Sequence, residues 1–254
     1  LRTPLNGIIG LASVLASSEL ASPHQSMVEL IGRSGDHLKE LVENIIDISR
    51  IDSGRVEMKI ERVRMSDLLD EVEEQFRVPA SSKGLEWSVE LAADADGMFD
   101  IPSLRLKQIL INLVANAVKF TDRGAVTLRV ERAGPGDVGS LRFRVIDTGP
   151  GIPETKLEAV FERFEQVDGS NTRRFDGSGL GLAISRELAT LLGGTLEASS
   201  VCGRGSTFTL TAPLQRSSDQ TQNEPGVPSP RGADALASDA LRILAADDHP
   251  TNRM

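Results

Sequence analysis

The sequence predicts an α+β protein in which an antiparallel two-helix hairpin precedes a helix-backed, largely antiparallel sheet. Three observations carry this expectation. Residues 1–52 repeat apolar side chains at steps of four and three, residues 55–214 mix strand-like and helical periods, and residues 215–240 turn polar and rich in Pro, Gly, Ser and Ala. At 254 residues there is room for one or two domains, and 39% hydrophobic with 26% charged residues suits a chain that buries a core.

In the first segment Leu1, Leu5, Ile8, Ala12 and Leu15 form one apolar stripe, and Met27, Ile31, Ser34, Leu38, Leu41, Ile45 and Ile48 form a second. Between them "SSELASP" has turn composition, with Ser22 placed to cap a helix that opens at Pro23. A single hairpin has too little core to stand alone, whereas two make a four-helix bundle. Residues 1–52 are therefore expected to form a homodimer, and packing onto the rest of the same chain is the alternative. Pro4 lies within the first helix, where a proline removes a backbone hydrogen bond at a cost of roughly 3 kcal/mol. A bend with a use is expected there.

The second segment begins with "RVEMKIERV" (55–63), which alternates as a strand, followed by an amphipathic helix over 66–80, a strand "LEWSVEL" and a helix over 103–119. "AVTLRVER" and "LRFRVIDTG" read as a hairpin around "AGPGDVGS". A helix near 154–161, a loop of about fifteen residues, a helix over 180–192 and the strands "GTLEASS" and "STFTLTAPL" complete the domain. Residues 215–240 read as a flexible linker.

Net charge is −9 with no dense basic stripe, which argues against nucleic acid as a partner. The single cysteine, Cys202, excludes an internal disulfide and fits a reducing compartment. There is no signal peptide or long apolar run, so the chain reads as soluble and cytoplasmic, with any membrane attachment left to upstream segments. Both ends read as cut, the first inside a helical pattern and the last just after a strand-like run. A fragment of a longer protein is expected.

The chemistry concentrates in four stretches. In "ILINLVANAVKF" (109–120), Asn112, Asn116 and Lys119 share one face of an otherwise apolar helix, and two amides and an ammonium in such surroundings need partners. "VIDTGPGI" ends a strand at Asp147 and continues through Gly149 and Gly151. "DGSGLGLAIS" sets Gly177, Gly179 and Gly181 at the entrance to a helix, whose free N–H groups and positive dipole end suit phosphates. "VCGRGSTF" adds a glycine turn before a strand. Singly each is weak: a glycine run is often an ordinary loop, "DTG" also marks aspartic proteases, and a polar helix face can simply be solvated.

In this order, however, the set over residues 55–214 closely resembles the ATP-binding catalytic domain of sensor histidine kinases, of the GHKL or Bergerat fold shared with gyrase, MutL and Hsp90-type chaperones. "NLVANAVKF" resembles the N box, "DTGPGI" the G1 box, "FERFEQ" the F box, "DGSGLGLAIS" the G2 box and "GRGSTF" the G3 turn. Residues 1–54 resemble the dimerisation and phosphoacceptor hairpin, with "LRTPLNGIIG" matching the downstream part of its H box. Residues 241–254, with "ILAADDHPTN", resemble the opening of a receiver domain.

The resemblance implies an ATP-dependent histidine kinase core, relaying phosphate to a receiver domain or response regulator. It implies that Asn116 gives its side-chain oxygen to a magnesium ion on the ATP phosphates. Asn112 would support the phosphates or a metal-bound water, and Lys119 would set a point charge against them. Asp147 would accept from the adenine amino group, with Gly149 and Gly151 letting the base approach the backbone. Gly177, Gly179, Leu180 and Gly181 would close the loop and bring the helix end to the triphosphate, and Ser206 would reach adenine through water. Residues 165–178 read as a mobile lid in which Arg173 and Arg174 help neutralise the γ-phosphate, anchored by Phe161 and Phe164. Thr3 matches the polar position associated with dephosphorylation, and Pro4 matches the bend beside the acceptor.

The family's acceptor histidine and its acidic neighbour precede the "LRTPLN" pattern, and His24, His37 and His249 lack that context. Asp247 and Asp248 only mark the receiver. The competing reading is a non-catalytic dimeric ATP-binding module; a gyrase- or MutL-type ATPase lacks its water-activating glutamate between Leu104 and Phe120. This chain alone is therefore expected to take no acid-labile label from labelled ATP, and acid-labile label on it would contradict that expectation.

Overall fold

The computed structural model describes residues 2–16, 22–134, 139–165 and 178–217. Helix α1 (Arg2–Ala16) and helix α2 (Ser22–Asp52) form the expected hairpin. Small residues set their approach: Ala12 is buried, and a Cβ on Gly35 would stand 2.8 Å from the Ile9 side chain. The outward stripe stays uncovered in the single chain, with Ile8, Leu15, Ile31, Leu38 and Ile45 about half exposed.

Strand β1 (Glu61–Arg64), helix α3 (Met65–Ser82), strands β2 (Glu86–Leu91) and β3 (Met98–Ile101), and helix α4 (Ser103–Phe120) follow. Then come strands β4 (Ala125–Arg132) and β5 (Ser140–Asp147), helix α5 (Gly181–Leu191), and strands β6 (Thr195–Val201) and β7 (Gly205–Pro213). The main sheet runs β2-β4-β5-β7-β6, antiparallel except where β2 pairs parallel with β4. Alternation decides its faces. Val126, Leu128 and Val130 of β4, Leu141, Phe143 and Val145 of β5 and Phe208, Leu210 and Ala212 of β7 are buried in one cluster with α3, α4 and α5. Arg129, Arg142 and Arg144 occupy the other face with Glu90 and Glu131.

Three expectations are corrected, and one strand was not foreseen. Only the end of "RVEMKIERV" is strand, because Glu61–Arg64 alone find a partner, the short strand β3. The helix near 154–161 is two separate 3-10 turns, Glu154–Lys156 and Ala159–Phe161. Pro153 opens this stretch and the chain leaves helical geometry at Glu162, so no segment is long enough to propagate an α-helix. β3 had no visible period at four residues between Gly97 and Pro102. The expected linker begins later than 215: Asp100 N–H donates to the Gln215 carbonyl, Ser217 N–H to the Met98 carbonyl, and Arg216 lies over the Phe99 ring and reaches the Asp96 carbonyl. The remaining linker residues and the receiver-like segment, 218–254, lie outside the described residues.

Helix α2 docks on the sheet domain along one face. Asp47 accepts from Gln108 of α4 at 2.7 Å, and Asn44 donates to Ser178 at 3.1 Å. Ile48 and Ile51 pack on the core, and Asp52 meets Arg163, which also binds Glu187 of α5 at 2.7 Å. The guanidinium holds the Asp52 carboxyl below its ordinary range, so this bridge persists as pH rises and is lost as pH falls through that depressed value.

The C-terminus of α4 is fixed by a side chain from another element. Lys83 Nζ donates to the carbonyls of Val118 and Lys119, both at 2.7 Å, supplying donors and positive charge to the end that needs them. Lys83→Met is expected to lower stability by about 0.5–1 kcal/mol, read from the denaturant midpoint with unchanged slope.

Candidate nucleotide site

The site is built where α4 meets α5. Apolar residues of α4 (Leu106, Ile109, Leu110, Leu113, Val114, Ala117) are buried in the core, which turns Asn112 and Asn116 toward the adjoining rim. Asn112 Nδ2 donates to Ser185 Oγ at 2.8 Å, and a Cβ on Gly181 would fall on its Oδ1. Any larger first residue of α5 would therefore displace the Asn112 amide. Asn112 thus also positions α5 through its amide nitrogen. The side chain of Asn116, one turn on and half-buried, has no hydrogen-bond partner among the described residues. Lys119 follows, with its ammonium 5.2 Å from the Phe120 ring centroid.

Helix α5 opens without a side-chain cap. Ser178 Oγ accepts from Leu180 N–H at 3.2 Å, Leu180 is fully buried, and Gly179 takes a left-handed φ of 66° beside the Phe164 backbone. The early N–H groups of α5 are left for an acceptor from outside the helix, and an anion is the acceptor the dipole favours.

Asp147 closes β5 at 8% exposure. Its Oδ1 accepts from Gly149 N–H at 2.8 Å and Ser206 N–H at 3.2 Å, leaving Oδ2 without a partner among the described residues. Burial pushes its carboxyl above the usual range, and the two N–H donors pull it back in part. Gly205 lies directly against the Asp147 carbonyl, which is what lets Ser206 reach that carboxylate. Ser206 Oγ pairs with Ser200 Oγ at 3.1 Å, and Ser200 also accepts from Ile152 N–H and donates to the Gly205 carbonyl. A Cβ on Gly151 would run into the Val201 carbonyl, so the glycine turns after β5 and before β7 are packed against each other.

The structure thus brings together Asn112, Gly179, Leu180 and Gly181 in one cluster and Asp147, Gly149, Gly151 and Ser206 in a second, with Asn116 and Lys119 carried on α4. Arg173, Arg174 and Gly177 lie outside the described residues, and Thr3 sits in the first turn of α1 with its side chain outside them. Phe161 is buried against Phe208, as an anchor should be, whereas Phe164 is 68% exposed at φ 66°. Sequence reasoning missed Ser185 and Ser178. Ser185 stands four residues after Gly181, so helical spacing would have exposed it.

A buried carboxylate with one oxygen free, glycine turns around it and a helix end without a side-chain cap are together features that suit a nucleotide-binding domain. Residues 102–216 match the family described as histidine kinase-, DNA gyrase B-, and HSP90-like ATPase, and residues 1–54 match the His Kinase A (phospho-acceptor) domain, together about two thirds of the chain. The autoinducer 2 sensor kinase/phosphatase LuxQ of Vibrio vulnificus is 35% identical over 254 residues, covering 99% of this chain and 29% of that protein. The circadian input-output histidine kinase CikA of Synechococcus elongatus is 37% identical over 256 residues, covering 98% and 32%. The hybrid signal transduction protein dokA of Dictyostelium discoideum is 38% identical over 218 residues, covering 82% and 13%. Among solved structures, full-length ShkA in complex with AMPPNP superposes with a TM-score of 0.70 at 35% identity, over 85% of this chain and 44% of that one. The mycobacterial sensor histidine kinase MprB does so at 0.51 and 27% identity, over 62% and 99%.

Residues 1–54 and 102–216 place the chain among the histidine kinases, with a His Kinase A domain followed by the ATPase domain. It spans under a third of the length of the first curated relatives it matches. Among the described residues no helix is long and apolar enough to cross a membrane.

The raised Asp147 carboxyl gives a testable sign. Its charge is penalised by burial, so the folded protein is less stable above that raised value and recovers as pH falls through it. Asp147→Asn removes the charge but keeps an acceptor for the two N–H groups. At neutral pH its ligand-free melting temperature is expected to equal or exceed that of the original protein, with the gap narrowing on acidification, while ATP affinity drops at least about tenfold.

Proposed function

We propose that this chain is the kinase core of a hybrid sensor histidine kinase, moving the γ-phosphoryl group of ATP to a histidine for relay to a receiver aspartate. The observation that carries the reading is Asp147, a buried carboxylate with one oxygen tied to Gly149 and Ser206 and the other open for an amino group. A carboxylate there accepts from the exocyclic amine of adenine and repels the carbonyl of guanine. The triphosphate then lies toward the uncapped end of α5, where N–H groups and the helix dipole take its charge.

Among the described residues no cluster of His, Cys, Asp or Glu suits a metal ion. The unpaired Asn116 amide fits the smaller demand of magnesium, which binds through one or two protein oxygens together with phosphates and water. Asn116 Oδ1 would hold that ion and Lys119 would face the phosphates. A bound magnesium ion would supply positive charge against the phosphates there. What remains for the protein is alignment: an imidazole nitrogen attacks the γ-phosphorus as the bond to ADP breaks. Arg173 and Arg174 are the cations proposed to meet the charge that develops, and Thr3 the residue that positions water when the phosphohistidine is dephosphorylated.

The exposed stripe of α1 and α2 supports a homodimer through residues 1–52, because Ile31 and Leu38 are each 50% exposed in the single chain. A receiver domain or response regulator is the proposed acceptor. Attachment of a parent protein to a membrane through upstream segments follows the same reading.

Two measurements test it. Mixing the chain with a separate hairpin that carries histidine and its acidic neighbour should give acid-labile label on that hairpin, and ATP binding without transfer would favour a non-catalytic module. Light scattering should report a dimer that Ile31→Arg with Leu38→Arg converts to a monomer.

A further inference from the structure

Helix α2 meets the sheet domain through Asn44, Asp47, Ile48, Ile51 and Asp52, which occupy positions i, i+3, i+4, i+7 and i+8 of one helix face. Its two carboxylates have partners of matching chemistry, the Gln108 amide and the Arg163 guanidinium. The third polar group is neutral, and it meets a turn. Asn44 Nδ2 donates to Ser178 Oγ at 3.1 Å, and the same oxygen accepts from Leu180 N–H at 3.2 Å. A hydroxyl oxygen has two lone pairs, and both are engaged here. Ser178 is thus gripped by the hairpin on one side and by the start of α5 on the other.

The grip governs the aim of α5. Leu180 opens that helix: its carbonyl accepts from Ile184 N–H at 2.9 Å, and its side chain is fully buried. The Gly179 carbonyl accepts from Phe164 N–H at 2.9 Å, so the residue beside Leu180 is tied as well. Rotating this turn rotates the first N–H groups of α5, which have no acceptor within the helix.

We propose that Asn44, a hairpin residue outside the nucleotide domain, is a positioning residue for the phosphate end of the ATP site, acting through Ser178 on the turn that opens α5. The residue type suits the task. An amide supplies a donor without charge, whereas a carboxylate at 44 would set negative charge beside the end kept for phosphates. The coupling runs both ways: a nucleotide that needs this turn favours the docked hairpin.

This rests on the pocket being an ATP site, so the test has a ligand-free arm. Amide hydrogen exchange followed by NMR should show the Leu180 and Phe164 N–H groups exchanging about threefold to tenfold faster in Asn44→Leu, with β5 and β7 unchanged. Unchanged rates at both amides, or an increase shared by β5 and β7, overturn the proposal whatever ATP does. In the second arm, calorimetry should show Asn44→Leu weakening ATP binding by about the same factor, with Asn44→Leu added to Ser178→Ala costing little beyond Ser178→Ala alone. Equal affinity in Asn44→Leu, or additive losses in the double variant, contradicts a role exerted through Ser178. Failure of the unaltered protein to bind ATP would count against the ATP reading and leave the exchange arm to judge the contact.

Discussion

The close approach of α5 to α4 at Gly181 and Asn112 is the constraint on which the site depends. With any side chain at 181 the Asn112 amide would have to move, and its bond to Ser185 would go with it. Because the approach is tight, α5 needs no capping side chain to hold its first turn in place. Its N–H groups stay available, and Asn116 and Lys119 follow Asn112 one and two turns further along α4. An apolar helix that spends two amides on one face is unfavourable in isolation. Here one amide, that of Asn112, fastens a neighbouring helix, and the other is the one proposed to meet the ligand.

The second cluster, around Asp147, repeats the trade between stability and use. Burial works against the carboxylate, and two backbone N–H groups offset part of that cost. Those N–H groups are in place only because Gly205 lies against the Asp147 carbonyl. The hairpin touches both helices of the site: Asn44, Asp47 and Asp52 of α2 bind, in turn, the residue before Gly179, α4, and the arginine that grips α5. Groups that shape the loop before α5 are therefore shared with helix α2 of the hairpin.

How much of this was legible in the sequence follows from which forces are local. The amides of α4 stood out against an apolar background, and Asp147 with its glycines announced a strand end without side chains. Long periodic elements were found within a few residues. By contrast, β3 and the truncated β1 exist only because they pair with each other, and four residues leave no period to read. The pinned segment 215–217 was hidden for the same reason, since its polar composition resembled linker and its order comes from β3 and Asp96. The bridge from Arg163 to Asp52 spans 111 residues, beyond any local pattern.

The most direct measurement is calorimetric titration of magnesium ATP into the protein and into Gly181→Ala, with circular dichroism to verify folding. If the seam between α4 and α5 makes the phosphate end of the site, the single methyl should abolish or severely reduce binding in a protein that remains folded. Equal affinity in a folded Gly181→Ala protein would contradict the account, because the nucleotide would then be held by something other than this contact.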